Sequence, residues 1–212
     1  AKCNISNKPW INLPRNGKKL CICPCSHHKT KRWPLRYYVS IIQHWPHDVV
    51  LLGSANERSI LEEIRDKSAK PVSIVAENGF DKTFEALQAS CLVIGNDTGI
   101  VHIAAAMDIP VIMLFGPTTS TDGFWCHDGI ALELPMYCRP CSRFGGSICP
   151  FDDHACLENI TPKMVWQAAH FLKIFLPCSI SPIDNKAAIS TWLSELDSAL
   201  EELANLTSTL YP

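Results

Sequence analysis

The sequence predicts an α/β protein built on a doubly wound parallel sheet, with additional helices at its C-terminal end. Three observations indicate this fold class: short apolar runs recur along residues 20–135, they are apolar throughout instead of alternating, and helix-like segments separate the earlier ones. Strands that are apolar along their whole length are expected where helices cover both faces of a parallel sheet. Alternating strands and helices indicate βαβ units with right-handed crossovers.

Six apolar runs define the predicted strands. They cover residues 20–23, 49–53, 72–76, 91–95, 111–115 and 130–134. The predicted helices between them cover residues 34–45, 56–67 and 80–89, and a short fourth helix begins at Gly99. Pro34 suits the first turn of its helix, where the N–H that proline lacks has no partner within the helix.

The sequence changes character after the last predicted strand, where a loop rich in Cys, Gly and Pro begins. Thr161 then provides an N-cap, and Pro162 a first-turn proline, for another helix. The predicted organisation is a linker over residues 1–19, one ligand-binding domain over 20–176 that includes the Cys-rich loop 136–156, and a C-terminal segment over 177–212 that forms an amphipathic helix.

Composition excludes several classes of protein. Apolar residues make up 47% of the 212 residues, which indicates a globular core, and the net charge of −2 offers no attraction for nucleic acid. No apolar run reaches the roughly 20 residues of a membrane span, and the first residues show no signal-peptide pattern. Eleven cysteines are scattered through strands and loops, unlike a secreted disulfide framework. We therefore expect a cytoplasmic protein whose thiols are mostly reduced core residues.

Polar residues follow four of the predicted strands, at the edge of the sheet where ligands bind in doubly wound folds. The loops cover residues 24–33, 53–57, 77–79 and 96–99. Backbone N–H groups at a helix start, with a hydroxyl and a glycine nearby, suit a phosphate group. A lysine adds positive charge to such a site, and a carboxylate can hold ribose hydroxyls.

Each polar residue also has a simpler structural interpretation. Asp97 or Thr98 can serve only as a helix cap, and His102 can be a half-buried histidine with a satisfied ring. Lys31 can be solvated, and Glu57 can stabilise the first turn of a helix through its dipole. Because all of these residues fall at one edge of one predicted sheet, a shared ligand site is favoured over four separate explanations.

Several short motifs occur in a fixed order along residues 20–170. They are Lys31-Arg32-Trp33-Pro34, Leu51-Leu52-Gly53 with Glu57, Asp97-Thr98-Gly99 with His102, Phe115-Gly116-Pro117-Thr118, and the cysteines 138, 141, 149 and 156 followed by Ile160-Thr161-Pro162. In this combination the sequence resembles glycosyltransferase family 9, the ADP-heptose:lipopolysaccharide heptosyltransferases. The resemblance implies a Rossmann-like domain that is the C-terminal, donor-binding half of a two-domain GT-B glycosyltransferase.

The resemblance implies roles in donor binding for the residues of the first three loops. Ser26 and His27 would lie against the diphosphate of ADP-heptose, although His27 departs from the small hydroxyl residues of the family. Lys31 would pair with the same diphosphate, Glu57 would hold the ribose, and Asn78 lies in the loop expected near adenine.

The fourth loop and its helix complete the implied donor site. Asp97, Thr98, Gly99 and His102 would line the diphosphate and the sugar. No residue of this chain matches the catalytic base of the family, so no catalytic residue and no cofactor are predicted. We expect the chain alone to bind ADP without transferring sugar, because the acceptor and the base belong to the N-terminal half.

The resemblance implies ADP-heptose or a related nucleotide-sugar as one partner. It implies the lipopolysaccharide core as a second partner, bound through an N-terminal half. A peripheral location at the inner membrane is compatible with both partners. Alternative functions are a non-catalytic nucleotide-binding module and a Cys-rich zinc or redox interaction module. Cys138, Cys141, Cys149 and Cys156 can supply four thiolates to zinc, stay reduced or form disulfides. No metal site is assigned to them.

Overall fold

A computed structural model describes residues 19–77, 79–122 and 129–172, and these residues form one parallel sheet with flanking helices. Its strands are β1 (Lys19–Cys23), β2 (Val49–Leu52), β3 (Val72–Val75), β4 (Ser90–Asn96), β5 (Val111–Leu114) and β6 (Gly129–Leu132). Its helices are α1 (Leu35–His44), α2 (Arg58–Lys67), α3 (Asp81–Gln88), α4 (Gly99–Ala106), α5 (Ala155–Glu158) and α6 (Pro162–Phe171).

The sheet has the strand order β3-β2-β1-β4-β5-β6, and every neighbouring pair is parallel. The chain builds outward from β1 to β3, then crosses to the other side of β1 and builds outward again from β4 to β6. The predicted α/β class, the doubly wound sheet and all six strands are confirmed, with strand ends shifted by one or two residues. In such sheets the direction reverses between β1 and β4, and ligands bind beyond the carboxyl ends of the strands there.

The four inner strands explain the uninterrupted apolar runs. All residues of β2 and β5 are buried, as are those of β1 after Lys19, because side chains on both faces of the sheet pack under helices. Cys21 and Cys23 lie in this core beside Val93 and Val101, so two of the thiols act as small apolar side chains.

The region after β6 packs onto the same sheet. Trp33 is buried, and its indole Nε1 donates a 2.7 Å hydrogen bond to the carbonyl of Ile160, which precedes α6. Thr161 caps α6 by accepting a hydrogen bond from the Met164 amide, and Pro162 occupies the first helical position. Both features of this predicted helix start are therefore confirmed.

The predicted linker 1–19, apart from Lys19, and the predicted C-terminal helix within 177–212 lie outside the described residues. The proposed domain limits therefore stay predictions. Among the residues that are described, no helix has both the length and the apolar character needed to cross a membrane.

Gly95 allows the turn after β4 to approach β1 closely. A Cβ atom at this position would lie 2.8 Å from the carbonyl oxygen of Cys23 and 2.7 Å from a methyl group of Val101. Because the first of these atoms belongs to the backbone of the neighbouring strand, it cannot move aside without disturbing the sheet. The absence of a side chain at Gly95 thus brings the start of α4 against the end of β1.

Candidate functional site

A cleft of about 760 Å³ lies at the carboxyl edge of the sheet. Its walls come from the loops that follow β1, β2, β3 and β4 and from the first turns of α3 and α4. The volume is typical of a site for a small molecule or nucleotide. Eight of the nine predicted site residues line this cleft: Ser26, His27, Lys31, Glu57, Asp97, Thr98, Gly99 and His102. The ninth, Asn78, lies outside the described residues.

The carboxylate of Asp97, directly after β4, is the centre of a polar cluster. Lys31 Nζ lies 2.5 Å from its Oδ2 atom, and the Thr118 hydroxyl donates to the same oxygen at 2.8 Å. His102 Nε2 lies 2.9 Å from Oδ1. The side chains of Asp97 and Lys31 are only 4% and 12% exposed, so this ion pair is held away from bulk water.

The simpler interpretations of Asp97 as a helix cap and of Lys31 as a solvated lysine do not fit the structure. Thr98, not Asp97, is the N-cap of α4, and the Asp97 carboxylate contacts side chains from three other segments instead of the helix amides. Lys31 is an ion-pair partner whose side chain is 12% exposed, and not a solvated surface lysine. The His102 ring is half-buried and contacts Asp97. This contact fits both interpretations of His102, a histidine with a satisfied ring and a ligand-binding residue.

The hydrogen bonds around Asp97 keep its carboxyl group ionised. Burial alone raises the pKa of Asp97, but the hydrogen bonds from His102, Lys31 and Thr118 outweigh burial and lower the pKa to about 2. A carboxylate with so low a pKa is a weak general base near neutral pH. Asp97 is therefore suited to orienting Lys31 and His102, and not to removing a proton from an attacking hydroxyl.

The lowered pKa of Asp97 predicts an acid-dependent loss of stability. The folded-state pKa of about 2 lies below the ordinary value of 3.8, so the carboxylate stabilises the fold above pH 3.8 and this stabilisation is lost as the pH falls towards 2. The difference corresponds to about 2 kcal/mol. Urea unfolding of the wild type and of Asp97→Asn between pH 6 and pH 2 measures it. The difference in free energy of unfolding between the two proteins should shrink towards pH 2. A difference that stays constant with pH would contradict the ionised Asp97 cluster.

The first turn of α4 faces the cleft beside this cluster. Thr98 has an extended backbone and makes no side-chain cap hydrogen bond, so its hydroxyl is not engaged by the helix it precedes. A Cβ atom placed on Gly99 would meet no atom within 4 Å, which shows open space next to the helix start. A helix N-terminus with open space, a hydroxyl and an adjacent lysine is suited to an anionic group.

The loop after β1 contributes a serine and two histidines. Ser26 is 4% exposed, its carbonyl accepts a hydrogen bond from Arg32 Nε at 2.8 Å, and its hydroxyl has no hydrogen-bond partner among the described residues. The rings of His27 and His28 meet edge to face with centroids 5.0 Å apart, and both residues line the cleft. His28, which the sequence did not single out, thus joins His27 on this wall.

Glu57 belongs to a short turn of helix after β2. Its Oε2 atom accepts hydrogen bonds of 2.8 Å from both the amide and the hydroxyl of Ser54, which stabilise the start of the turn. Its Oε1 atom makes no hydrogen bond in the described part of the chain. Glu57 therefore combines the predicted helix-start role with one carboxylate oxygen that remains available on the cleft wall.

A fully buried amide attaches the loop after β1 to the end of β4. Asn96 Oδ1 accepts hydrogen bonds from the Trp33 amide at 2.9 Å and from the Tyr38 hydroxyl at 3.1 Å. Asn96 Nδ2 donates to the Pro24 carbonyl at 2.8 Å. Because residues 24–33 carry Lys31, this amide helps to hold the lysine opposite Asp97.

The Cys-rich loop packs against the other side of Lys31. Thr30 donates to the Gly146 carbonyl through its amide and its hydroxyl, and the Gly146 amide donates back to that hydroxyl at 2.8 Å. Gly145 has a φ of +99°, and a Cβ atom there would lie 2.9 Å from Lys31 Cδ and 2.8 Å from His28 Cβ. The loop therefore confines the lysine side chain within the cleft.

Arg139, on the same loop, holds the segment that contains Thr118, the third hydrogen-bond partner of Asp97. Its guanidinium donates to the carbonyls of Gly116 at 2.5 Å and Thr118 at 2.8 Å, and it pairs with Glu133 at 2.9 Å. These contacts fix the segment that presents the Thr118 hydroxyl to Asp97. The signal in the sequence for Thr118 is its place in the Gly116-Pro117-Thr118 motif, whereas Arg139 carries no comparable signal.

The four cysteines of the loop are free thiols in the structure. Burial raises the pKa of Cys156 to about 11, so this thiol is protonated at neutral pH. In the described ranges, no group of three or more His, Cys, Asp or Glu side chains has an arrangement that could hold a metal ion. The structure therefore gives the zinc alternative no geometric support within those ranges.

The strand order, the position of the cleft and the lysine beside a helix start define a doubly wound α/β domain with a candidate anion-binding site. The sequence profile of glycosyltransferase family 9 (heptosyltransferase) matches residues 6–145, and the chain belongs to this family.

Individual relatives agree with this assignment. The chain is 29% identical over 174 residues to lipooligosaccharide heptosyltransferase 2 of Campylobacter jejuni, an alignment that covers 75% of this chain and 53% of that protein. The chain therefore spans about half the length of the curated relatives it matches.

Solved heptosyltransferases share the fold. Escherichia coli ADP-heptose lps heptosyltransferase II has a TM-score of 0.57 and 24% identity, with 76% of this chain and 48% of that chain covered. E. coli heptosyltransferase WaaC with ADP-2-deoxy-2-fluoro heptose has a TM-score of 0.57 and 19% identity, with 76% and 45% covered. At these identities the likeness shows a common fold.

Proposed function

We propose that this chain is the donor-binding half of a heptosyltransferase that transfers heptose from ADP-heptose to the inner core of lipopolysaccharide. The observation that carries this proposal is the buried Lys31–Asp97 ion pair beside the open first turn of α4, inside the cleft at the reversal point of the sheet. Family membership supports it, and so does the solved structure of E. coli heptosyltransferase WaaC with ADP-2-deoxy-2-fluoro heptose.

In this proposal the diphosphate of the donor lies between Lys31 and the first turn of α4. The lysine ammonium and the amides at Thr98 and Gly99 face negative charge, which grows on the departing ADP as the glycosidic bond breaks. His102 completes this wall next to the sugar. Asp97 remains ionised behind Lys31, so it fixes the position of the ammonium while leaving its other N–H groups available.

The remaining loops hold the nucleoside part. The Oε1 atom of Glu57 accepts a ribose hydroxyl, and the loop that contains Asn78 lies near the base. Ser26 and His27 approach the diphosphate from the end of β1. The protein domain that performs these tasks covers residues 20–176.

Transfer also needs a base that removes the proton of the acceptor hydroxyl. Asp97 is unsuited to this step because its pKa is about 2 and its oxygens are already occupied. We assign the base and the lipopolysaccharide contacts to the part of such an enzyme that lies outside these 212 residues, which fits the half-length coverage of the relatives. The enzyme would act in the cytoplasm, at the periphery of the inner membrane.

Binding of ADP tests the donor site. ADP at about ten times its Kd should stabilise the chain by about 1.4 kcal/mol and raise the Tm by about 3 to 6 °C. Adenosine, which lacks the diphosphate, should have a much smaller effect at the same concentration. The measurement is a thermal-denaturation series with each ligand, and no rise in Tm at millimolar ADP would contradict the proposal.

A further inference from the structure

Lys31 lies on a segment that has little stability of its own. It ends a three-residue 3₁₀ helix, Lys29–Lys31, and no side chain caps the start of this helix. A single turn of this kind has few internal hydrogen bonds, so contacts from the rest of the fold must hold it in place. The position of the Lys31 ammonium in the cleft therefore depends on what packs against this turn.

A segment of the Cys-rich loop, residues 142–146, packs against the short helix. Three hydrogen bonds join Thr30 to Gly146: the Thr30 amide and hydroxyl donate to the Gly146 carbonyl at 3.1 and 2.9 Å, and the Gly146 amide donates to the hydroxyl at 2.8 Å. Thr30 is 6% exposed, so water competes little for these bonds. The segment is thus attached to the residue immediately before Lys31.

The 142–146 segment has a fixed shape of its own. Ser142 Oγ accepts a hydrogen bond from the Gly145 amide at 2.8 Å and donates one to the Gly145 carbonyl at 3.0 Å. The φ of +99° at Gly145 lies in the region that favours glycine. Because a Cβ atom there would lie 2.9 Å from Lys31 Cδ and 2.8 Å from His28 Cβ, a larger residue would displace the lysine stem or the segment.

The same segment is connected to a second partner of the Asp97 carboxylate. The Ser142 amide donates to the Pro117 carbonyl at 3.3 Å, and Pro117 precedes Thr118, whose hydroxyl donates to Asp97 Oδ2. Lys31 Nζ lies 2.5 Å from this same oxygen. The segment therefore joins the two chain regions that meet at Oδ2, although none of its residues lines the cleft.

We propose that Thr30 and Gly145 are positioning residues of the diphosphate site, which hold the Lys31 ammonium where it meets the diphosphate. The inference rests on the proposed function for the ligand. It goes beyond that function by giving the Cys-rich loop a part in ligand affinity, through a lysine that the loop contacts and not through the ligand. A lysine that is ordered before binding loses less side-chain entropy when the ligand arrives, so a better-held lysine binds more tightly.

Calorimetric titration of inorganic pyrophosphate and of ADP tests this role. Gly145→Ala should weaken the binding of both ligands by about 5- to 50-fold, because both carry the diphosphate. Gly146→Ala is the matched control: the nearest atom to a Cβ there is the Ile148 carbonyl oxygen at 4.0 Å, and the backbone bonds to Thr30 are retained. Both affinities should remain those of the wild type in this control.

Substitutions of Thr30 test the same role without adding bulk to the loop. Thr30→Val removes the hydroxyl, leaves the Gly146 amide without its partner, and should weaken the binding of both ligands by about 3- to 10-fold. Thr30→Ser keeps the hydroxyl and should restore the wild-type affinities. If Gly145→Ala does not fold, this pair of variants decides the question alone.

A double variant separates positioning of the lysine from general damage to the fold. If Gly145 acts through Lys31, Gly145→Ala should change ADP affinity by less than about 2-fold when Lys31 is already methionine. Damage unrelated to the lysine would give the same loss in both backgrounds. Urea unfolding of each variant establishes that it is folded under the conditions of the titration.

The outcomes separate this inference from the proposed function. Wild-type affinities in Gly145→Ala and Thr30→Val, or an equal loss from Gly145→Ala with and without Lys31, would overturn the positioning role and leave the proposed function intact. Equal losses in Thr30→Val and Thr30→Ser would also overturn it. Wild-type protein that binds neither ADP nor pyrophosphate would overturn the proposed function and the positioning role together.

Discussion

Replacing Lys31 with methionine should weaken ADP binding by about 10- to 150-fold and destabilise the fold by about 3 kcal/mol. The affinity falls because the lysine is the cation that faces the diphosphate in the proposed site. Stability falls because Asp97, which is 4% exposed, loses its cationic partner at 2.5 Å and keeps a buried negative charge. The measurements are ADP calorimetry and urea unfolding of the same protein.

A double variant separates the two effects. In Lys31→Met/Asp97→Asn the buried charge is gone, so most of the lost stability should return while ADP binding stays weak. Lys29→Met is the matched control, because Lys29 is exposed two residues away and does not line the cleft. Wild-type affinity in Lys31→Met would show that the ammonium does not face the ligand. Wild-type stability in the same variant would show that the buried pair does not exist in solution.

Replacing Asn96, the last residue of β4, with alanine should strongly destabilise the fold. It removes the acceptor of the Trp33 amide and the Tyr38 hydroxyl and the donor to the Pro24 carbonyl, leaving three groups in the interior without partners. We expect the free energy of unfolding to fall by about 4 kcal/mol, since each unsatisfied buried group costs about 1 to 3 kcal/mol. ADP affinity should fall as well, because the segment that carries Lys31 loses its attachment to β4.

Urea unfolding of Asn96→Ala measures this loss. Asn56→Ala is the matched control, because Asn56 is exposed and does not line the cleft, and it should remain within about 0.5 kcal/mol of the wild type. Asn96→Asp retains the acceptor oxygen but replaces the Nδ2 donor, so it should also be destabilised. A wild-type unfolding curve for both Asn96 variants would contradict the attachment of the β1 loop through this amide.

Much of the fold could be predicted because each strand carries its own signal. Strands such as β2 and β5 are wholly buried, so their sequences are uninterrupted apolar runs. The starts of α1 and α6 were equally local, since a proline or a capping hydroxyl acts within one turn, although Pro34 is the N-cap of α1 and lies one residue before the predicted first-turn position. The single-turn helix α5 was not predicted, because four residues at the end of the Cys-rich loop show no periodicity.

The candidate site could be located from the sequence because parallel strands end at one edge of the sheet. This rule alone brought Lys31, Glu57 and Asp97 into one cleft although they are far apart in the chain. The contacts inside the site could not be predicted in the same way. Thr118 reaches Asp97 across 21 residues and Asn96 reaches the Trp33 amide across 63, and only the folded sheet brings such groups together.

Calorimetric titration of ADP into the wild-type chain and into Lys31→Met/Asp97→Asn tests the proposed donor site most directly. We predict saturable binding of one ADP per wild-type chain, and binding at least about 10-fold weaker in the double variant, whose folded state is preserved. The absence of saturable ADP binding by the wild type, or equal affinity in the folded double variant, would contradict a nucleoside diphosphate site built around Lys31 and Asp97.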